Sequence, residues 1–184
     1  MSNARRILNC LDEKLRQPTE LTLYGRAALQ LGFDDPPSEF AQSLDVDVVL
    51  WVGQAEDLLR QGNLWDAIKE VNDELVGENL YISHFFEETQ VTLRAEWKEC
   101  RVPIEGNWRM LNLYRLANAD LFLSKCMRDD PLDLADARYI WAQAGWQAED
   151  VRQIVRSARI PDIDELKDQF DRCVRILLGE SLPV

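Results

Sequence analysis

Two aspartates stand in the most strand-like run of the chain, Leu44-Asp45-Val46-Asp47-Val48-Val49-Leu50-Trp51-Val52. Aspartate is depleted in strands, so a pair of them among valines and leucines calls for a reason. Successive strand side chains alternate between faces, so Asp45 and Asp47 project to the same side, with backbones about 6.5–7 Å apart. Two carboxylates that close repel one another, and desolvating them is costly. A divalent cation removes both difficulties. Hard oxygen ligands suit Mg²⁺ or Mn²⁺, and Mg²⁺ also takes substrate phosphates as co-ligands. The alternative for the same pair is a solvated sheet face that holds no ion.

A second feature precedes it. The β-prone run Leu21-Thr22-Leu23-Tyr24 stops at Gly25, and Arg26-Ala27-Ala28-Leu29-Gln30-Leu31 returns to helical composition. A strand that turns at glycine into a helix presents free backbone N–H groups, which bind anions. Lacking a Cβ, the glycine also lets a phosphate come close. An ordinary strand-to-helix turn is the plainer reading of Gly25 alone. Lys125 is the third candidate, a cation within the apolar run Leu121-Phe122-Leu123-Ser124-Lys125-Cys126-Met127. It reads either as a ligand for triphosphate oxygens or as the ion-pair partner of Asp129, Asp133 or Asp136.

The elements that must position these residues follow from periodicity. Ile7, Leu8, Leu11 and Leu15 predict an amphipathic helix over 3–17, ended by Pro18. Asp34-Asp35-Pro36-Pro37 marks the loop from Gly32 to Ser43. Residues 54–76 read as helix with a break at Gly62-Asn63. Tyr81 to Phe86, Val91 to Trp97 and Met110 to Leu116 read as strands. From Asn118 the pattern is helical, with segments at Leu121–Met127, Leu132–Ala144, Ala148–Ala158 and Ile163–Leu178. The expectation is therefore an α/β (α+β) fold, a mixed sheet flanked by helices. It forms a single domain over 1–184, with a core at about 20–117 and a C-terminal helical part at about 118–184.

Composition narrows the function classes. With 184 residues and 46% hydrophobic content the chain fills one core. No apolar run nears the roughly 20 residues of a membrane span, and no secretory signal opens the chain, so a cytoplasmic protein with no membrane partner is expected. The net charge of −12 disfavours long nucleic acid as a partner, because such binders present a basic face to phosphates. Cys10, Cys100, Cys126 and Cys173 are scattered, with no Cys-x-x-Cys pair, and read as packed thiols. His84 is the only histidine, which rules out a two-histidine site, and it reads as structural. The six tryptophans read as core packing.

Taken together, Leu23-Tyr24-Gly25-Arg26-Ala27-Ala28-Leu29 and Ser43-Leu44-Asp45-Val46-Asp47-Val48-Val49 resemble the first two core elements of the DNA polymerase β-like nucleotidyltransferase superfamily. Three further segments, Trp97 to Pro103, Leu116 to Lys125 and Asp133 to Ala137, are similar to a bacterial group of predicted nucleotidyltransferases classed as a domain of unknown function. Its relatives include abortive-infection toxins. The resemblance spans about residues 20–157. It implies a metal-dependent enzyme that moves a nucleoside monophosphate from a nucleoside triphosphate to an acceptor the sequence does not name, with Mg²⁺ or Mn²⁺ as cofactor. Asp45 and Asp47 would be the metal ligands, and Gly25 the phosphate turn. Ser43 matches the hydroxyl residue before the acidic pair, as a phosphate contact or a turn cap. Arg26 stands where the family has a second small residue, and reads either as a phosphate contact or as an obstruction to the usual backbone approach. For the third carboxylate Glu96 is the foremost candidate, with Glu88 and Glu99 behind it. Two alternatives stay open: a catalytically inactive nucleotide-binding or regulatory module of the same fold, and the toxin of a toxin–antitoxin pair with an antitoxin partner.

Overall fold

The computed structural model describes residues 2–128 and 130–180. The fold is α+β, with a mixed five-stranded sheet, a second sheet of two short strands, and a helical C-terminal region. Two compact units make up the chain. The first comprises Met1–Glu87 and Arg101–Leu116, the second Glu88–Cys100 and Ala117–Val184. Among the described residues no helix is long and apolar enough to cross a membrane.

In the first unit the elements are α1 (Asn3–Lys14), β1 (Thr19–Tyr24), α2 (Gly25–Gly32), β2 (Asp45–Leu50), α3 (Gln54–Gln61), α4 (Leu64–Leu75) and β3 (Tyr81–Glu87). After the excursion into the second unit come the short strand at Val102–Pro103 and the strand at Leu111–Arg115, called β5 and β6 because β4 (Leu93–Arg94) precedes them. The sheet order is β3-β2-β1-β6-β5. β1 runs antiparallel to β2 and parallel to β6; β2 and β3 are parallel. Alternation puts Leu21, Leu23, Val46 and Val48 on one face, and all four are buried. Ile7, Leu8 and Leu11 of α1, together with Leu64, Ala67 and Val71 of α4, complete this core. Each fully buried leucine or isoleucine contributes about 1.5–3 kcal/mol. Arg115 is one of several buried polar residues, with its guanidinium donating to the carbonyls of Gly32 and Leu116.

Side chains finish what the backbone leaves open. Asp12 accepts hydrogen bonds from the backbone N–H groups of Arg109, Met110 and Leu111, at 2.7–2.9 Å, and so ties α1 to the start of β6. Asn72 of α4 donates to the Ile82 carbonyl and accepts from the Ile82 N–H, taking the place of a further strand beside β3. α1 ends at Lys14, short of the expected residue 17. The reason is Asn63, whose amide bonds the Lys14 carbonyl and the Arg16 N–H and so terminates the helix before Pro18 acts.

The second unit holds β4, α5 (Asn118–Lys125), α6 (Pro131–Ala144), α7 (Ala148–Arg156), β7 (Ala158–Arg159) and α8 (Asp164–Leu178). Only Leu93–Arg94 of the expected strand over 91–97 is extended in a ladder, paired with β7. The rest is held by side chains. The Thr92 N–H meets Met127 Sδ, the Arg94 N–H meets the buried Asp120 carboxylate, and Trp97 Nε1 donates to Glu88. Val91, Leu93 and Trp97 are buried, so the β-prone residues serve this unit's core without a long strand. Asp130 caps α6 by accepting from the N–H groups of Leu132 and Asp133, with Pro131 as the first helical residue. Phe122 packs between the edges of Trp141 and Trp146, so these tryptophans serve packing.

Candidate functional site

β1 delivers its last residue, Tyr24, directly opposite Asp47 on β2. The chain then turns at Gly25, whose φ of +67° lies in the left-handed region, and α2 begins there. Two features favour glycine here, the first more strongly. Its backbone angle disfavours any residue with a Cβ, and a Cβ at this position would lie 3.3 Å from Asp47 Oδ2. The carboxylate thus sits against the opening turn of a helix, at the end where backbone N–H groups point outward.

Asp45 and Asp47 share the face that alternation predicts, and both are half-buried. Ser43 Oγ donates to Asp45 Oδ1 at 3.1 Å. The Ser43 hydroxyl, read as a phosphate contact or a turn cap, is thus engaged with the first aspartate, which is neither of those readings. Between the paired positions Val46↔Ile82 and Val48↔Phe85, one residue of β2 faces two of β3. That is a bulge, and it brings both Ser83 and His84 to Asp47. Ser83 Oγ lies 2.5 Å from Asp47 Oδ1 and 3.3 Å from Asp45 Oδ2. Its single proton can serve only one of them at a time, and the shorter contact marks Asp47 as the acceptor. His84 Nδ1 stands 3.4 Å from Asp47 Oδ1, with its ring stacked on Phe86 and two-thirds exposed.

Burial pushes the Asp47 carboxyl above its usual range. The Ser83 hydrogen bond opposes that shift, the neighbouring Asp45 charge adds to it, and His84 opposes it. Desolvation is thus the first cost that the ionised Asp47 carries, and the second acid on the face adds to it.

The remaining candidates lie as follows. Arg26 is the second residue of α2, and its guanidinium sits 5.5 Å above the Phe40 ring. Glu96 belongs to the second unit, where Arg94 Nη1 lies 3.3 Å from it and the same guanidinium grips Asp120. Glu88 accepts from Trp97 Nε1 and lies near Arg159; Glu99 is exposed. Lys125, also in the second unit, is buried between Asp133 at 2.9 Å and Asp136 at 2.8 Å. Asp129, the other partner considered for it, lies outside the described residues. The first unit therefore gathers Gly25, Ser43, Asp45 and Asp47, whereas Glu96 and Lys125 have partners of their own within the second.

Ser83 and His84 are the residues that sequence reasoning missed as neighbours of the pair. A signal existed: in Tyr81-Ile82-Ser83-His84-Phe85-Phe86 two polar residues follow one another where strict alternation allows one. Among the described residues no group of three or more His, Cys, Asp or Glu side chains is arranged to hold a metal ion. The donor set at hand is two carboxylates with flanking hydroxyls, which fits one hard cation whose remaining ligands are water or phosphate oxygens. Comparison of the chain with protein-family models, curated proteins and solved structures finds no significant match.

Proposed function

We propose that the Asp45/Asp47 face binds a divalent cation together with a nucleoside triphosphate, and that the chain transfers the nucleoside monophosphate to an acceptor. The observation that carries this reading is the close approach of the Asp47 carboxylate to the Gly25 turn, which brings a carboxylate pair and a helix N-terminus near one point of the sheet. Each arrangement alone is common; their coincidence suits a phosphate that must meet both a cation and backbone donors.

Mg²⁺ or Mn²⁺ held by Asp45 and Asp47 would supply charge neutralisation at the phosphates. The protein's own groups do the rest. Gly25 keeps the approach to the α2 backbone clear. Ser43 and Ser83 orient the carboxylates by donating to them. Burial of Asp47 lowers its hydration in advance, so the carboxylate gains more from a cation than an exposed one would.

A second reading is favoured by one observation: the strand beside the pair faces Asp47 with Ser83 and His84 rather than with an acid. Under it the site binds nucleotide without transferring it, as a regulatory module. Thermal unfolding with Mg²⁺ or Mn²⁺ and each common nucleoside triphosphate tests both. Ligand at a hundredfold excess over Kd stabilises by about 2.7 kcal/mol, and Asp47→Asn should abolish the rise. Labelled triphosphate incubated with cell extract then separates them. Label moving to an acceptor supports transfer, and binding without transfer supports the second reading. Wild-type protein that shows no stabilisation with either metal refutes both.

A further inference from the structure

The face that carries Asp47 continues away from Gly25. Along β1, Glu20 and Thr22 lie on the same side as Tyr24, and register sets Thr22 between Val49 of β2 and Tyr114 of β6. Over this stretch lies Arg101. Its Nη1 donates to Glu20 Oε1 at 2.8 Å and to Thr22 Oγ1 at 3.0 Å. The guanidinium carbon stands 4.5 Å from the Tyr114 ring centroid and 5.4 Å from that of Trp51. Thr22 precedes Tyr24 by one strand repeat, about 6.5–7 Å, so the guanidinium stands about that far along the sheet from the residue opposite Asp47.

The exposures of the ion pair are unequal. The Arg101 side chain is 12% exposed and that of Glu20 38%. The cation is thus fixed by two rings and a threonine, while its anion is the outer, more solvated member. A side chain so placed is the one that an incoming anion can displace. A guanidinium is itself a planar fork that matches the bidentate geometry of phosphate oxygens, and a phosphate carries more charge than one carboxylate.

We propose that Arg101 is the positioning residue for the terminal phosphates of the triphosphate, exchanging Glu20 for them when nucleotide binds. The inference rests on the function proposed above and adds the polarity of the ligand: the reacting end at Asp45/Asp47, the phosphate tail toward Arg101.

The test is calorimetry with Mg²⁺ and the four common ribonucleoside triphosphates, alongside the corresponding monophosphates. Arg101→Met should weaken triphosphate binding by roughly tenfold to a hundredfold, the range of a charged hydrogen bond, and leave monophosphate binding unchanged. Arg101→Lys should fall between, because it keeps charge and loses the fork. Glu20→Gln should tighten triphosphate binding by removing the competing anion, a gain that damage to the fold does not produce. Equal losses for tri- and monophosphates, or triphosphate affinity unchanged in Arg101→Met and Glu20→Gln, would overturn the assignment and leave the proposed function standing. A wild-type protein that binds no triphosphate overturns both.

Discussion

Gly25→Ala probes the junction on which the site depends. The native φ of +67° costs an alanine about 1–2 kcal/mol, because its Cβ crowds the following carbonyl. The new Cβ would also stand 3.3 Å from Asp47 Oδ2. That contact is close but not prohibitive, and relief requires Asp47 to shift by a few tenths of an ångström while its other oxygen stays bonded to Ser83. The backbone strain therefore dominates. For a chain of this size, about 1–2 kcal/mol lowers the melting temperature by roughly 2–8 °C. Urea denaturation of four variants, Gly25→Ala, Gly25→Asn, Asp47→Ala and the Gly25→Ala/Asp47→Ala double, separates the two costs. Gly25→Asn should lose less than Gly25→Ala, since asparagine tolerates the left-handed region and carries the same Cβ. In an Asp47→Ala background the alanine cost should shrink only by the contact share. If Gly25→Ala changes stability by less than about 0.5 kcal/mol, as at ordinary surface sites, the turn is not built as described. If Asn and Ala cost the same, the strain argument fails and the Cβ contact takes its place.

Two further outcomes are expected away from the site. Burial of Asp12 works against its ionised form, but the N–H groups of Arg109, Met110 and Leu111 outweigh it and hold the carboxyl below its usual range. Its contribution is therefore complete above the ordinary carboxylate pKa of about 3.9 and is lost as pH falls through that value to the lower folded one. Asp12→Asn should flatten the acid limb of a stability–pH curve, and an unchanged limb would contradict this account. Lys125→Met leaves Asp133 and Asp136 buried with their shared cation gone, while Arg128 still bonds Asp133, and should destabilise by about 3 kcal/mol, the lower end for a broken buried pair, in denaturant titration. A loss below about 1 kcal/mol would show that the carboxylates find water or other partners.

Local geometry was legible in the chain itself. Alternation in Leu44–Leu50 fixed the shared face of Asp45 and Asp47, because strand side chains have a period of two whatever the strand packs against. The placement of glycine between Tyr24 and a helical run fixed the turn, because only a residue without a Cβ takes that angle without strain. The mixed α+β class followed from the order of periodic segments. What the sequence could not decide is which residues meet across strands. That Tyr24 lies opposite Asp47, and Arg101 over Thr22, depends on register set by the whole sheet. The bulge that turns both Ser83 and His84 to Asp47 depends on how β3 accommodates β2. Glu96 and Lys125 have the residue types that a metal-bound triphosphate calls for, a carboxylate for the cation and a cation for the phosphates, yet their partners come from within the second unit: Arg94 for one, Asp133 and Asp136 for the other. For Lys125 the ion-pair reading with Asp133 and Asp136 stood open in the sequence beside the phosphate reading, and only packing, which buries the lysine between the two acids, decides where the charge is satisfied.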